Sequence, residues 1–264
     1  AYTSSQYSNQ SLQSLVSIAE EMEYSTAFFH GAPNGSMGFL GFSQVLGFDK
    51  YYGKNEYDNN ADYDGIWGIW DEPFFQFTQD KLSENTSPFL ATIFSVSSHA
   101  PFKIPVQYEG KFKEGYVAMH PFVQYTDYAI ARFIESSKKE PWFENTIFVF
   151  TADHANLSYF EFYQKSINRF AIPIMFYAPG KSWGEERFDL AQHMDIMPTV
   201  AQLMGYEKPI RSWGRSLVST EESSLVVDYF GAGSYFFMNE QYICIYNGSE
   251  VIGFYDKEDY GLEE

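Results

Sequence analysis

Three apolar segments run into histidine: "TAFFHG" reaches His30, "FSVSSHAPF" reaches His99, and "TIFVFTADH" reaches Asp153 and His154. An imidazole can bind a metal, contact an anion or move a proton near neutral pH, and a carboxylate adds a hard oxygen ligand. Asp153 and His154 side by side therefore suit a divalent metal such as Mn²⁺, Mg²⁺ or Zn²⁺. Two ligands do not complete a site. The dipeptide alone fits equally well an Asp153 that caps the next turn and a His154 that packs on an aromatic neighbour. A single strand-end histidine is more often structural. Three at matching places favour one shared site.

The elements that must position these residues follow from periodicity. Ile147-Phe148-Val149-Phe150 is a short β-branched and aromatic run, expected as a strand buried on both faces. "YSTAFFHG", "PFLATIFSVSSH" and "IPIMFYAPG" read as further strands. "SLQSLVSIAEEME" (11–23), "FSQVLGF", "DEPFFQFTQDKLSE", "HPFVQYTDYAIARFIESSKK" and "DIMPTVAQLMG" read as helices, with Asp71 as an N-cap and Gly205 as a stop. "DKYYGKNEYDNNADYDG" is expected to be a long polar loop. From about residue 224, short alternating segments with Asn/Gly turns predict an antiparallel meander. Strands that alternate with helices argue for an α/β fold with a mostly parallel sheet, and functional residues gather at the carboxyl ends of such strands.

Composition narrows the partners. The 264 residues carry 17 Lys and Arg against 35 Asp and Glu, a formal charge of −18, with no basic stripe. Nucleic acid is excluded as a main partner. An acidic protein acting on an anion needs a metal or local cations to offset its own field. Aromatics make up 20% of the chain, enough for a Phe-rich core with tyrosines at its rim. Cys244, in "YICIYNG", is the only cysteine, which rules out disulfides and Cys-rich zinc sites within these residues. No apolar run approaches the ~18 residues of a transmembrane helix.

"FFHG", "SSHAPF", "TADH" and "QHMDIMPT…LMG" occur in this order in the lipoteichoic-acid-synthase-like (phosphoglycerol transferase) branch of the alkaline phosphatase/sulfatase superfamily. The chain resembles that family along nearly its whole length, including "HGAPNGSMGF" and "WGIWDEPFFQF". The resemblance implies part of an alkaline-phosphatase-like three-layer α/β sandwich. Its main part would span residues 1–215 without its N-terminal portion, and an antiparallel β subdomain over 216–264 would pack on it. It further implies a metal-dependent phosphoryl-group transferase or phosphodiesterase acting on lipid- or glycan-linked phosphate. One divalent metal, Mn²⁺ first, would be held by Asp153 and His154. His99 would contact the phosphate and assist the leaving group, and His30 would line the same pocket and bind substrate. The domain would face the periplasm or exterior of a bacterial cell membrane, carried by an N-terminal anchor absent from this chain.

Two departures qualify that picture. The family's threonine nucleophile and a further acidic ligand are expected upstream of Ala1, because the first thirty residues resemble the stretch after the nucleophile. Thr3, Ser4 and Ser5 fit that following stretch, so the chain alone is expected to be inactive. Where the Gram-positive synthases have a Trp and, two positions on, an Arg, this chain has Met37 and Phe39. Losing that arginine removes a bidentate phosphate contact and counts against glycerol phosphate as the transferred group. A sulfate-ester hydrolase is the alternative enzyme, disfavoured because Cys244 lacks a C/S-x-P-x-R context. A non-catalytic binding domain is the alternative outside enzymes. His193, His120 and the pair Asp71-Glu72 read as structural, at helix entries and caps. The sequon Asn247-Gly248-Ser249 matters only in a glycosylating host.

Overall fold

The computed structural model describes residues 6, 10, 12–184, 186–219 and 225–263. Thr3, Ser4 and Ser5 lie outside them. The chain divides into two compact units, residues 1–146 and 147–264.

In the first unit three parallel strands lie in the order β2-β1-β3: β1 (Ser25–His30), β2 (Lys50–Tyr52) and β3 (Phe89–Phe94). β1 is central and almost wholly buried, as its apolar "TAFF" demands. β2 falls inside the segment expected as a loop. The strand is three residues long with two tyrosines, and it pairs because Phe28 stacks on Tyr51 at 5.7 Å and Phe29 on Tyr52 at 4.8 Å. Asp49 pins the entry of β2, its carboxylate accepting from the backbone N–H and hydroxyl of Thr26.

Parallel neighbours need crossovers, and helices supply them. The helix α1 (Leu15–Glu21) precedes β1. It starts four residues later than expected, where Ser14 and Ser17 close a reciprocal capping box. α2 (Phe39–Leu46) joins β1 to β2, followed by the single turn α3 (Lys54–Tyr57) and then α4 (Asp71–Ser83) before β3. α5 (His120–Ser137) packs along α4, with Phe75 against Phe133 at 6.1 Å and Tyr125 fully buried.

In the second unit β4 (Phe148–Thr151) pairs with β5 (Ile174–Tyr177) antiparallel, where a parallel neighbour was expected. Only two 3₁₀ turns intervene, and without a crossover helix the chain simply returns. β4 is half-buried along Phe148–Phe150 and exposed at Thr151, so the fully buried expectation does not hold. The helix α6 (Ile196–Leu203) ends in a Schellman motif. Gly205 takes φ +82° and donates to Gln202, while Tyr206 donates to Ala201.

The expected meander is present as β6 (Leu225–Gly231), β7 (Ser234–Asn239), β8 (Tyr242–Tyr246) and β9 (Val251–Asp256), each antiparallel to the next. β7 alternates buried and exposed strictly, and its inner residues Phe236 and Met238 join Ile243, Ile245 and Ile167 in one core. The sheet expected as a subdomain from residue 216 thus shares a core with the 167–190 segment of the same unit. Among the described residues, no helix is long and apolar enough to cross a membrane.

Candidate active site

The first unit carries two of the candidate histidines. His30 ends β1 opposite Phe94, the last residue of β3. It is 2% exposed, with the rings of Phe39 and Phe94 edge-on at 4.7 and 5.1 Å. Its Nδ1 lies 3.2 Å from the Phe94 carbonyl. A carbonyl only accepts, so Nδ1 carries the proton and Nε2 keeps its lone pair. Burial holds the His30 pKa below its ordinary value, with the Phe94 hydrogen bond opposing weakly. The next residue, Gly31, accepts from the Ile69 N–H at 2.9 Å, and Gly68 presses so close that a Cβ there would meet the Gly31 carbonyl at 2.7 Å.

His99 lies on the loop after β3 and its side chain is exposed. Its Nδ1 is 2.8 Å from the Ala100 carbonyl, which only accepts, so Nδ1 is the donor there. The Trp67 ring covers the imidazole with centroids 4.1 Å apart. Trp67 is held in turn by Asp64, whose Oδ1 accepts from the N–H groups of Ile66, Trp67 and Gly68. An open cleft of about 770 Å³ begins three residues past His99. Phe102, Lys103, Val106, Glu109, Asp64 and Trp70 are among the residues that line it.

Asp71 corrects one expectation. It is the first residue of α4 rather than its cap, which is Trp70 without a side-chain bond. The Asp71 carboxylate is fully buried and reaches across to the His99 loop. It accepts from the backbone N–H of Val96 at 2.9 Å and of Ser97 at 3.2 Å, and from the Thr126 hydroxyl at 2.7 Å. Its own N–H donates to the Ser97 hydroxyl. Nothing in the local spacing foretold this, because the partners are 25 and 55 residues away.

The second unit carries Asp153 and His154, just past β4, both well exposed. His154 donates its backbone N–H to Asp153 Oδ1 at 3.0 Å, and its Nε2 lies 3.4 Å from Asp153 Oδ2. Its Nδ1 donates to the Ala155 carbonyl at 2.7 Å. With Nδ1 turned to that carbonyl, Nε2 is the ring nitrogen that lies beside the carboxylate. His193, read as structural, supports this corner: its Nε2–H donates to the Ala152 carbonyl at 2.7 Å. Asp195 beside it is buried and accepts from the N–H groups of Gln192 and Arg215. Among the described residues no cluster of three or more His, Cys, Asp or Glu is gathered, so Asp153 and His154 stand as two donors. His30 and His99 belong to one unit, and Asp153 and His154 to the other.

One unit thus holds parallel strands with His30 at the end of β1, and the other an Asp-His corner just past β4, in an α/β chain. The chain belongs to the sulfatase family, whose model matches residues 1–206. It is 26% identical over 184 residues to the lipoteichoic acid synthase-like YvgJ of Bacillus subtilis, covering 61% of this chain and 30% of that protein. It is 24% identical over 239 residues to lipoteichoic acid synthase 2 of the same organism, covering 81% of this chain and 36% of that one. The chain thus spans about a third of the length of these curated relatives. A Vibrio parahaemolyticus protein of the alkaline phosphatase superfamily superposes with TM-score 0.81 at 23% identity, over 95% of this chain and 62% of that one. The lipoteichoic acid synthase LtaP of Listeria monocytogenes superposes with TM-score 0.72 at 23% identity, over 92% and 65%.

Proposed function

We propose that the protein carrying this chain transfers or hydrolyses phosphoryl groups on lipid- or glycan-linked phosphate, outside the bacterial cytoplasm, at one divalent metal. The observation that carries this reading is the shared state of three candidate histidines. His30, His99 and His154 each set Nδ1 against a backbone carbonyl, and the Nε2 of His154 lies beside the Asp153 carboxylate. The names of the lipoteichoic acid synthases that the chain resembles support the phosphoryl class and the cell-envelope setting.

Asp153 and His154 fit a metal as a carboxylate and a correctly oriented imidazole. A hard or borderline ion such as Mn²⁺ suits that pair, with Mg²⁺ or Zn²⁺ as other occupants. When bound, such an ion supplies positive charge for a phosphoryl oxygen and lowers the pKa of a coordinated hydroxyl. His99, an exposed residue, contacts the phosphate and, once it has taken up a proton at Nε2, gives that proton to the leaving oxygen. His30, buried and neutral, accepts a substrate hydroxyl at Nε2. The family resemblance implies a threonine nucleophile, a part that none of these four residues supplies. Phe39 takes the place of the expected arginine and lays its ring against His30 at 4.7 Å. An apolar ring cannot grip phosphate there, which counts against glycerol phosphate held in the synthase manner.

Sulfate-ester hydrolysis is the competing chemistry. Cys244 is a poor candidate for it, paired mid-strand with Phe237 and Phe254 in the C-terminal sheet. The deciding experiment compares bis(4-nitrophenyl) phosphate with 4-nitrophenyl sulfate, with and without EDTA, on the protein extended upstream of this chain. Phosphodiester turnover that EDTA abolishes is expected, and sulfate turnover in its place would overturn the reading. In calorimetry Asp153→Ala should weaken Mn²⁺ binding by at least ~100-fold, since even outer-shell partners are worth ~10–100-fold. Unchanged binding would remove Asp153 from the site.

A further inference from the structure

None of the roles above uses Asp71, a fully buried carboxylate beside the His99 loop. We propose that Asp71 is the positioning residue of His99, holding through its carboxylate the loop that aims the imidazole. The proposal rests on the reading of His99 as the phosphate contact.

The connection runs through one peptide plane. Ser97 N–H donates to the Asp71 carboxylate at 3.2 Å, and the carbonyl of that same peptide, from Val96, accepts from the His99 N–H at 3.3 Å. A second bond, from the Val96 N–H at 2.9 Å, fixes the preceding plane. The Thr126 hydroxyl then anchors the carboxylate to α5, so the turn at His99 is referred to two packed helices. Burying a carboxylate is costly, and an apolar side chain would fill the same space without that cost. Asp71 satisfies three donors that converge from the loop and α5, two of them from the backbone that carries His99. Geometry at a reacting group is worth this cost, because a displacement of ~1 Å can lower a rate ~100-fold.

The test is Asp71→Asn, which keeps the shape but sets an N–H₂ against the Ser97 N–H and turns the Thr126 hydroxyl from donor to acceptor. The Trp67 ring current at 4.1 Å should displace the His99 imidazole protons in the NMR spectrum, which gives a readout of position independent of turnover. In folded Asp71→Asn the His99 resonances should shift, and kcat for the phosphodiester should fall by up to ~100-fold. KM should stay within about twofold and Mn²⁺ affinity should be unchanged, since the lost term is orientation. Wild-type resonances or wild-type kcat in the folded variant would overturn the proposal. Should Asp71→Asn fail to fold, Thr126→Val loosens the same carboxylate by one bond. It must then show a smaller shift and a smaller loss of kcat, and no change in either would equally overturn it. His99→Ala separates the two readings: full activity there defeats the role given to His99, whereas lost activity with an indifferent Asp71→Asn defeats only the positioning.

Discussion

His99 and Trp67 share one acceptor. The imidazole Nδ1–H and the indole Nε1–H both donate to the Ala100 carbonyl, at 2.8 and 2.6 Å, while the two rings lie 4.1 Å apart. The indole therefore fixes the imidazole twice, by contact and through the carbonyl that sets its tautomer. Trp67→Phe keeps an aromatic face and removes only the second tie. Lost stability should be about 1 kcal/mol or less, as for one solvent-accessible hydrogen bond. Turnover of the phosphodiester should drop several-fold while Mn²⁺ binding holds. Denaturant melts and steady-state rates on one preparation check this, and an unaltered rate would show that the indole does not orient His99.

Gly68 is the second place where one atom matters. A Cβ there would stand 2.7 Å from the carbonyl oxygen of Gly31 and 2.9 Å from the N of Ala32, both backbone. Backbone cannot swing aside as a long side chain can, so Gly68→Ala must push the His30-Gly31 corner away. The expected cost is about 1–3 kcal/mol, the range for overpacking, and the His30 resonances should move with it. A variant as stable as wild type, with His30 unmoved, would mean the corner is softer than its geometry implies.

His30 links stability to pH. Burial lowers its folded pKa below the ordinary 6.5. Below that value the unfolded chain takes up a proton that the folded chain refuses. The stability contributed by neutral His30 is therefore present above 6.5, and is lost as pH falls through 6.5 towards the folded value. Urea midpoints should fall between about pH 7 and pH 5, and His30→Gln should flatten that part of the profile. A slope that survives in His30→Gln would assign the effect to another group.

Much of this molecule is legible from local pattern. Apolar runs that end in histidine mark β1, the β3 loop and β4. The 3.6-residue spacing marks α5, and Gly205 marks the end of α6, where it closes a left-handed turn. The meander is visible in its alternation and its Asn/Gly turns. These are short-range decisions, made by the residues themselves and their near neighbours. β2 was not visible, because Lys50–Tyr52 becomes a strand only when Phe28 and Phe29 offer aromatic faces to stack upon. Asp71 was read as a cap for the same reason in reverse: an Asp at a helix start normally serves its own helix.

The sequence by itself determined which chemical groups are available, and, through four ordered motifs, the family. Tertiary structure decided their state. It set the Phe94 carbonyl, 64 residues away, against Nδ1 of His30. It buried His30 and left His99 exposed, although both follow similar strands. It turned Asp71 from its own helix to a loop 25 residues away. Each outcome depends on a hydrogen-bond partner or a packed ring brought in by the fold. Side-chain type is written in the chain, but the partner that selects its protonation and direction exists only once distant segments meet.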